Sequence, residues 1–258
     1  FSVLIFGLLQ TPFAKELIAD RVTGMKTQGY TCSLQGLQGF LPFSLGFEKL
    51  SVRDEQEEVL LLEGFQFSWK PWKLLLGTIE VTQMHANKLE LGKLPEKIAP
   101  QVQEKKEKQP GFDLPAYMPA IVVSQVDFPL IILHKAVLGE KAEFSLSADL
   151  ELDSLDNIKT EFSILRMDKP GIDTSCKFAY SSGILNLKYQ FSGGTDGLLS
   201  RYTDSFLKSP LQVSLQGKGA IENWSGNIQI HSEQKEICSS DIGTGKSGET
   251  IKQDLKGK

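Results

Sequence analysis

The string in this 258-residue chain that most suggests chemistry is Gly-Thr-Gly-Lys-Ser, Gly243 to Ser247. A phosphate-binding loop cradles phosphate with backbone N–H groups between a buried strand and a helix, and it needs a glycine five positions before Gly245. Ser240 stands there instead, and neither flank is evident. The histidines, His85, His134 and His231, are scattered, with no H-E-x-x-H and no Cys/His cluster. Each reads as a surface or strand-end residue. No G-x-S-x-G occurs, and the acidic residues fall in turns or on the wet sides of strands, where solubility accounts for them. The sequence points away from an enzyme, to no catalytic or metal-binding residue and to no cofactor.

Three cysteines suit neither a disulfide scaffold nor a zinc site. Cys32 is in phase with Tyr30 and Leu34, and Cys176 with Ile172, Phe178 and Tyr180, so both read as small buried hydrophobes. A Cys32–Cys176 bridge is the disulfide an oxidising compartment would allow. Trp69 and Trp72 could form a sugar-binding platform, but Trp69 continues the face of Phe65 and Phe67, which favours core or groove lining. Lys70 and Lys73 beside them are of the type that meets lipid headgroups. With 28 basic against 32 acidic residues the formal charge is −4. No basic stripe with interleaved aromatics appears, which argues against nucleic acid. Hydrophobic residues at 40% and charged residues at 23% describe a folded chain.

What would position any site is β structure. From Lys141 to Asp153 the residues alternate without error: Ala142, Phe144, Leu146, Ala148, Leu150 and Leu152 fall on one side, polar residues on the other. That is a strand with one wet and one apolar face. Similar alternation runs through Phe65, Phe67 and Trp69, through Phe162 and Ile164, and through Leu185, Leu187 and Tyr189. Phase slips of one residue before Leu50, and between Val81 and Leu89, read as bulges or short turns.

Phe1 to Leu9 is an uncharged apolar run, shorter than the ~20 residues that span a bilayer, and reads as the end of a truncated membrane anchor. Thr11 as N-cap and Pro12 as first helical residue open a helix with Ala14, Leu17, Ile18, Val22 and Met25 on one face. The organisation expected is an anchor and exit helix over 1–28, a β segment over 29–95, and a polar linker over 96–114. A second β segment over 115–230 with a short helix near 197–208 and a polar, disordered tail over 231–258 complete it. Crossover-helix rhythm is missing, so the expected fold is mainly β, an elongated antiparallel meander.

Motif order adds a resemblance. Leu9–Pro12, Gly36–Pro42 (Gly-Leu-x-Gly-x-Leu-Pro), Leu50–Asp54 (Leu-Ser-Val-x-Asp), Trp69–Gly77 (Trp-x-Pro-x-x-Leu-Leu-x-Gly) and Leu94–Pro95 follow one another, and Val213–Gly226 continues the series. Over about residues 1–230 the chain resembles the N-terminal region of the TamB (translocation and assembly module) family of AsmA-like proteins. The resemblance implies a sheet that closes incompletely around an apolar-lined groove, a β-taco. Its candidate lining is Phe65, Phe67, Trp69, Ala142, Phe144, Leu146, Ala148, Leu150, Leu152, Phe162, Ile164, Leu185, Leu187 and Tyr189. It also implies single-pass anchoring in the inner membrane of a Gram-negative-type bacterium, with the bulk in the periplasm. The implied partners are phospholipid and an outer-membrane Omp85-class protein (TamA-like). The function implied is a phospholipid path between the membranes that supports outer-membrane assembly. The alternative is an envelope scaffold or docking arm whose apolar faces pack only on each other. A third reading is a carbohydrate-binding β domain that uses the tryptophans.

Overall fold

The computed structural model describes residues 7, 9–23, 26–27, 29–55, 57–94, 119–169, 172–194, 210–233, 235–244, 246–247, 250–251 and 256–257. Most of the apolar run 1–9, the linker 96–114 and the helix expected near 197–208 lie outside the described residues.

Helix α1 (Pro12–Val22) begins as the sequence predicts, with Pro12 at its first turn and the Thr11 hydroxyl accepting a hydrogen bond from the Ala14 N–H at 3.2 Å. Of its expected apolar face only Ala14 is buried, and Leu17 is exposed. The rest is sheet: β1 (Lys26–Thr27), β2 (Tyr30–Gln35), β3 (Ser44–Arg53), β4 (Glu58–Trp69), β5 (Thr78–His85) and β6 (Lys88–Leu91). Then come β7 (Ala120–Leu133), β8 (Ala142–Ser154), β9 (Asn157–Arg166), β10 (Ile172–Ser181), β11 (Ile184–Gly193), β12 (Leu211–Ala220), β13 (Ser225–Ser232) and β14 (Lys235–Gly243). A 3-10 turn, Pro71–Leu76, joins β4 to β5, and the short helix α2 (Lys135–Leu138) joins β7 to β8.

Strands β2 to β14 form one sheet, with two-residue strands added at its edges by Lys26–Thr27 and Lys256–Gly257. The edges do not meet, so the sheet is open and not a closed barrel. The two β segments read from the sequence are parts of this single sheet. Neighbours in the sheet follow chain order except at one place. Strands β5 and β6 lie end to end between β4 and β7, with β5 pairing Gln66–Trp69 of β4 and β6 pairing Leu60–Glu63. Both pair with β7 in parallel, Thr78 with Ala120 and Leu91 with Leu133. This corrects the purely antiparallel meander. A parallel pair needs a connection of a dozen or more residues, and the chain between Leu91 and Ala120 supplies it.

The sheet also runs past the boundary expected at residue 230. β14 pairs with β13 from Ser225–Gly243 to Ser232–Lys235, with a bulge between Ile230 and His231. Cys238, Ser240 and Ile242 continue the alternation there, a signal thinned by serine and therefore read as a tail.

The β10–β11 hairpin is tight. Ser182 and Gly183 both have positive φ, 50° and 82°, between the paired Ser181 and Ile184. That is the mirror-image two-residue turn whose twist matches the strands, and glycine takes its second position without a Cβ penalty.

Candidate functional site

Residues paired across neighbouring strands point to the same side of a sheet, so the register shows what the predicted lining residues share. One transverse row runs Leu45, Phe67, Met84, Val126, Ala148, Phe162, Cys176, Tyr189, Leu215, Ile228. It crosses every position in the sheet from β3 to β13 without a polar residue and ends against Ser240 of β14. Nine spacings of about 4.8 Å make it roughly 43 Å long, measured along the sheet. Beside it run Phe128, Leu146, Ile164, Thr174, Phe191, Val213 and Ile230 on one flank, and Trp69, Val81, Val123, Leu150, Thr160, Phe178 and Leu187 on the other. Leu152 and Leu185 continue the same face further out, and Phe65 stacks on Phe47 at 4.8 Å.

The predicted lining residues therefore share one face. Ala142 and Phe144 are buried, and the others are half-buried. Among the described residues no large apolar side chain is fully buried, whereas a second sheet packed on this face would bury its large side chains completely. The opposite face is wet: Asp127, Ser147, Ser163, Ser175, Gln190, Ser214, Gln229 and Ser239 form its corresponding row.

The apolar side carries a shallow depression beside α2. A pocket of about 250 Å³ is lined only by Ile131, Leu133, Leu138, Phe144, Leu146, Ile164 and Ile172. Three of these, Phe144, Leu146 and Ile164, are in the predicted lining. Leu138 comes from α2, a connection the sequence reading passed over.

At this end of the sheet lies a polar group on the apolar phase. Arg166 pairs with Phe144, and its side chain is only 1% exposed. Its guanidinium donates to Asp168 at 2.9 and 3.1 Å and to Glu140 at 2.8 Å, and lies 6.0 Å from the Phe144 ring centre. The Arg166 bonds hold the Asp168 carboxyl at about 2 against an ordinary 3.8, and the arginine's own pKa is raised. A buried charge satisfied in this way is a structural clamp for the α2 end of the face.

At the other end Trp224 lies over the paired glycines Gly217 and Gly226. A Cβ on either would come within 2.2 or 2.4 Å of the indole ring. Trp224 is buried, its backbone exchanges hydrogen bonds with Thr244, and its indole nitrogen has no partner. The apolar face is thus flanked by α2 at one end of its strands and by this indole at the other.

The other sequence candidates separate. Lys246–Ser247 pairs in a two-residue strand with Thr250–Ile251, so the Gly-Thr-Gly-Lys-Ser string does not open a helix. All three cysteines are free, and burial raises the Cys176 thiol pKa. Cys32 on β2 and Cys176 on β10 are separated by the strands between, which removes the bridge. His85 bonds Asp127 and Asn87 at 3.0 Å each, and His134 bonds Glu90 at 2.6 Å. The Glu90 carboxyl is held below its usual range, first by the Lys88 bond and then by His134. Trp69 spends its indole N–H on the Pro42 carbonyl at 2.7 Å, which brings the Gly36–Pro42 and Trp69–Gly77 motifs into contact. No family model matches the chain, and neither does any curated protein or solved structure. No helix among the described residues is long and apolar enough to cross a membrane.

Proposed function

We propose that this chain is the membrane-proximal part of a TamB-like protein and that its apolar face gives phospholipid acyl chains a path through water between two membranes. One observation carries the reading: the row from Leu45 to Ile228, apolar at each position and only half-buried. Exposing an acyl chain to water costs roughly 0.8 kcal/mol per CH₂, so a ~16-carbon chain faces on the order of 10 kcal/mol. A continuous apolar strip removes most of that barrier without specific contacts, and headgroups stay in water at its open side. Such a strip needs no binding charge and no catalytic group. In the same reading the run before α1 belongs to an inner-membrane anchor, the sheet lies in the periplasm, and a TamA-like Omp85-class protein receives it at the outer membrane.

A scaffold reading, in which this face meets only protein, is the competing outcome of the test. A photoreactive residue at Leu146, compared with Ser147 on the wet side, is irradiated in native membranes. Phospholipid adducts at Leu146 and none at Ser147 are expected. Adducts at Leu146 only to protein would overturn the lipid path and favour the scaffold.

A further inference from the structure

Away from the sheet face, large apolar side chains are exposed most densely at one corner. The turn Pro71–Leu76 presents Trp72, Leu75 and Leu76 at 51%, 89% and 73% exposure, with Phe40 of the neighbouring loop beside them. The ring of Phe43 sits between Phe40 at 5.6 Å and Trp72 at 5.8 Å. The support is fixed. Trp69 ties its end of β4 to Pro42, Lys70 and Lys73 both pair with Glu80, and the Gly77 N–H closes the turn on the Leu74 and Lys73 carbonyls. A fixed, exposed apolar cluster is the mark of a surface with an apolar partner.

Two observations identify that partner. Helix α1 starts against this corner: Gln10 donates to the Leu41 carbonyl at 2.5 Å and Lys15 to the Gly39 carbonyl at 2.6 Å. The residues just before it, Phe1 to Leu9, are uncharged and mostly large and apolar. Second, two lysines share one carboxylate at the base of the turn, which leaves one positive charge in excess beneath an aromatic and leucine tip. Leucine and tryptophan outermost with lysine behind is the composition that settles at the headgroup level of a bilayer.

We infer that the Trp72–Leu76 tip is a membrane contact, inserting its side chains into the interface of a phospholipid bilayer beside the segment that precedes α1. The inference rests on the membrane-attached part of the proposed function. It does not depend on lipid moving along the sheet.

The test uses the full chain with Cys32, Cys176 and Cys238 replaced by alanine and an environment-sensitive nitrobenzoxadiazole label on Leu75→Cys. The vesicles are phosphatidylethanolamine and phosphatidylglycerol. The control is the same label on Ile184→Cys, an exposed apolar site on the same rim, five strand spacings or about 24 Å away along the sheet. A blue shift, with quenching by brominated acyl chains, is expected at Leu75→Cys and not at Ile184→Cys. The unlabelled double variant Leu75→Glu, Leu76→Glu is expected to partition at least tenfold less, with its far-ultraviolet circular dichroism unchanged. A chain that sediments with vesicles while the Leu75→Cys label stays in water overturns the tip and leaves attachment through the preceding segment standing. Equal shifts at both labels indicate general adsorption and also overturn it. A chain that does not bind vesicles overturns the tip and the membrane attachment together, while the lipid path is judged separately by crosslinking at Leu146.

Discussion

The sheet has an irregular half, β2 to β7, and a regular half, β8 to β14, and both keep one apolar side. In the regular half one alternating phase runs through β8 to β13, broken on β9 by Arg166, and the register shifts only near strand ends, at Leu152/Ser154 and Ile230/His231. In the irregular half the apolar phase jumps by three residues instead of two: Phe47 to Leu50, Phe65 to Leu62, Ala86 to Leu89 and Phe128 to Ile131. These jumps lie side by side, because Leu50 pairs with Leu62, Leu62 with Leu89 and Leu89 with Ile131. A slip in one strand would turn its side chains to the wrong face. A slip made by four neighbours at one level leaves the face intact. The line stops at β7, where register shifts against β8 absorb it and Pro129, which has no N–H to give the ladder, sits in the second of them.

This difference can be attacked where each half is most specialised, and the largest effect belongs to the regular half. Arg166→Ala takes from Asp168 the guanidinium that pairs with it and from Glu140 one of its two cations, Lys169 remaining at 3.5 Å, and removes the group packed on Phe144. A loss of about 3–5 kcal/mol is expected, measured by urea unfolding. A loss under about 1 kcal/mol would mean that the cluster is not what holds the α2 end.

Acidification addresses the same clamp more gently. The Asp168 pKa is depressed when folded, so its contribution is complete above the ordinary 3.8 and disappears as the pH falls towards about 2. Roughly 2 kcal/mol should be lost across that window, and Asp168→Asn should flatten this part of the stability–pH curve.

The smallest effect expected is at the slip line. Gly64 has φ +63°, and a Cβ there would sit 2.2 Å from the Asn87 side-chain nitrogen. Gly64→Ala should cost about 1–2 kcal/mol through the left-handed backbone and the displaced amide. The double variant with Asn87→Ala should recover the steric part only. A neutral Gly64→Ala would show that the slip does not need this geometry.

Strands, their faces and the turn at Pro71–Leu76 were legible in the sequence because alternation and proline–glycine punctuation are local. The slips at Leu50 and between Val81 and Leu89 were legible one by one. Their alignment was not, since register belongs to pairs of strands. Arg166 left a signal that was passed over, a cation two steps beyond Phe162 and Ile164 on the apolar phase. Gly217 and Gly226 left another, small residues where large ones were due, with room for the Trp224 ring. The parallel pairing was hidden because a long polar connection reads the same whether the chain returns to the same end of the sheet or hairpins back.

That pairing also shapes how the molecule assembles. Partners in β5–β7 and β6–β7 stand a constant 42 positions apart, from Thr78 with Ala120 to Leu91 with Leu133. The hairpins β8–β9, β10–β11 and β12–β13 instead zip from turns of a few residues. Closing the longer loop costs about 2 kcal/mol more in chain entropy than closing one of four residues. The β2–β6 block and the β7–β14 block can thus form early from their own contacts, and the union of β5 and β6 with β7 becomes the slow, topology-limited event of folding.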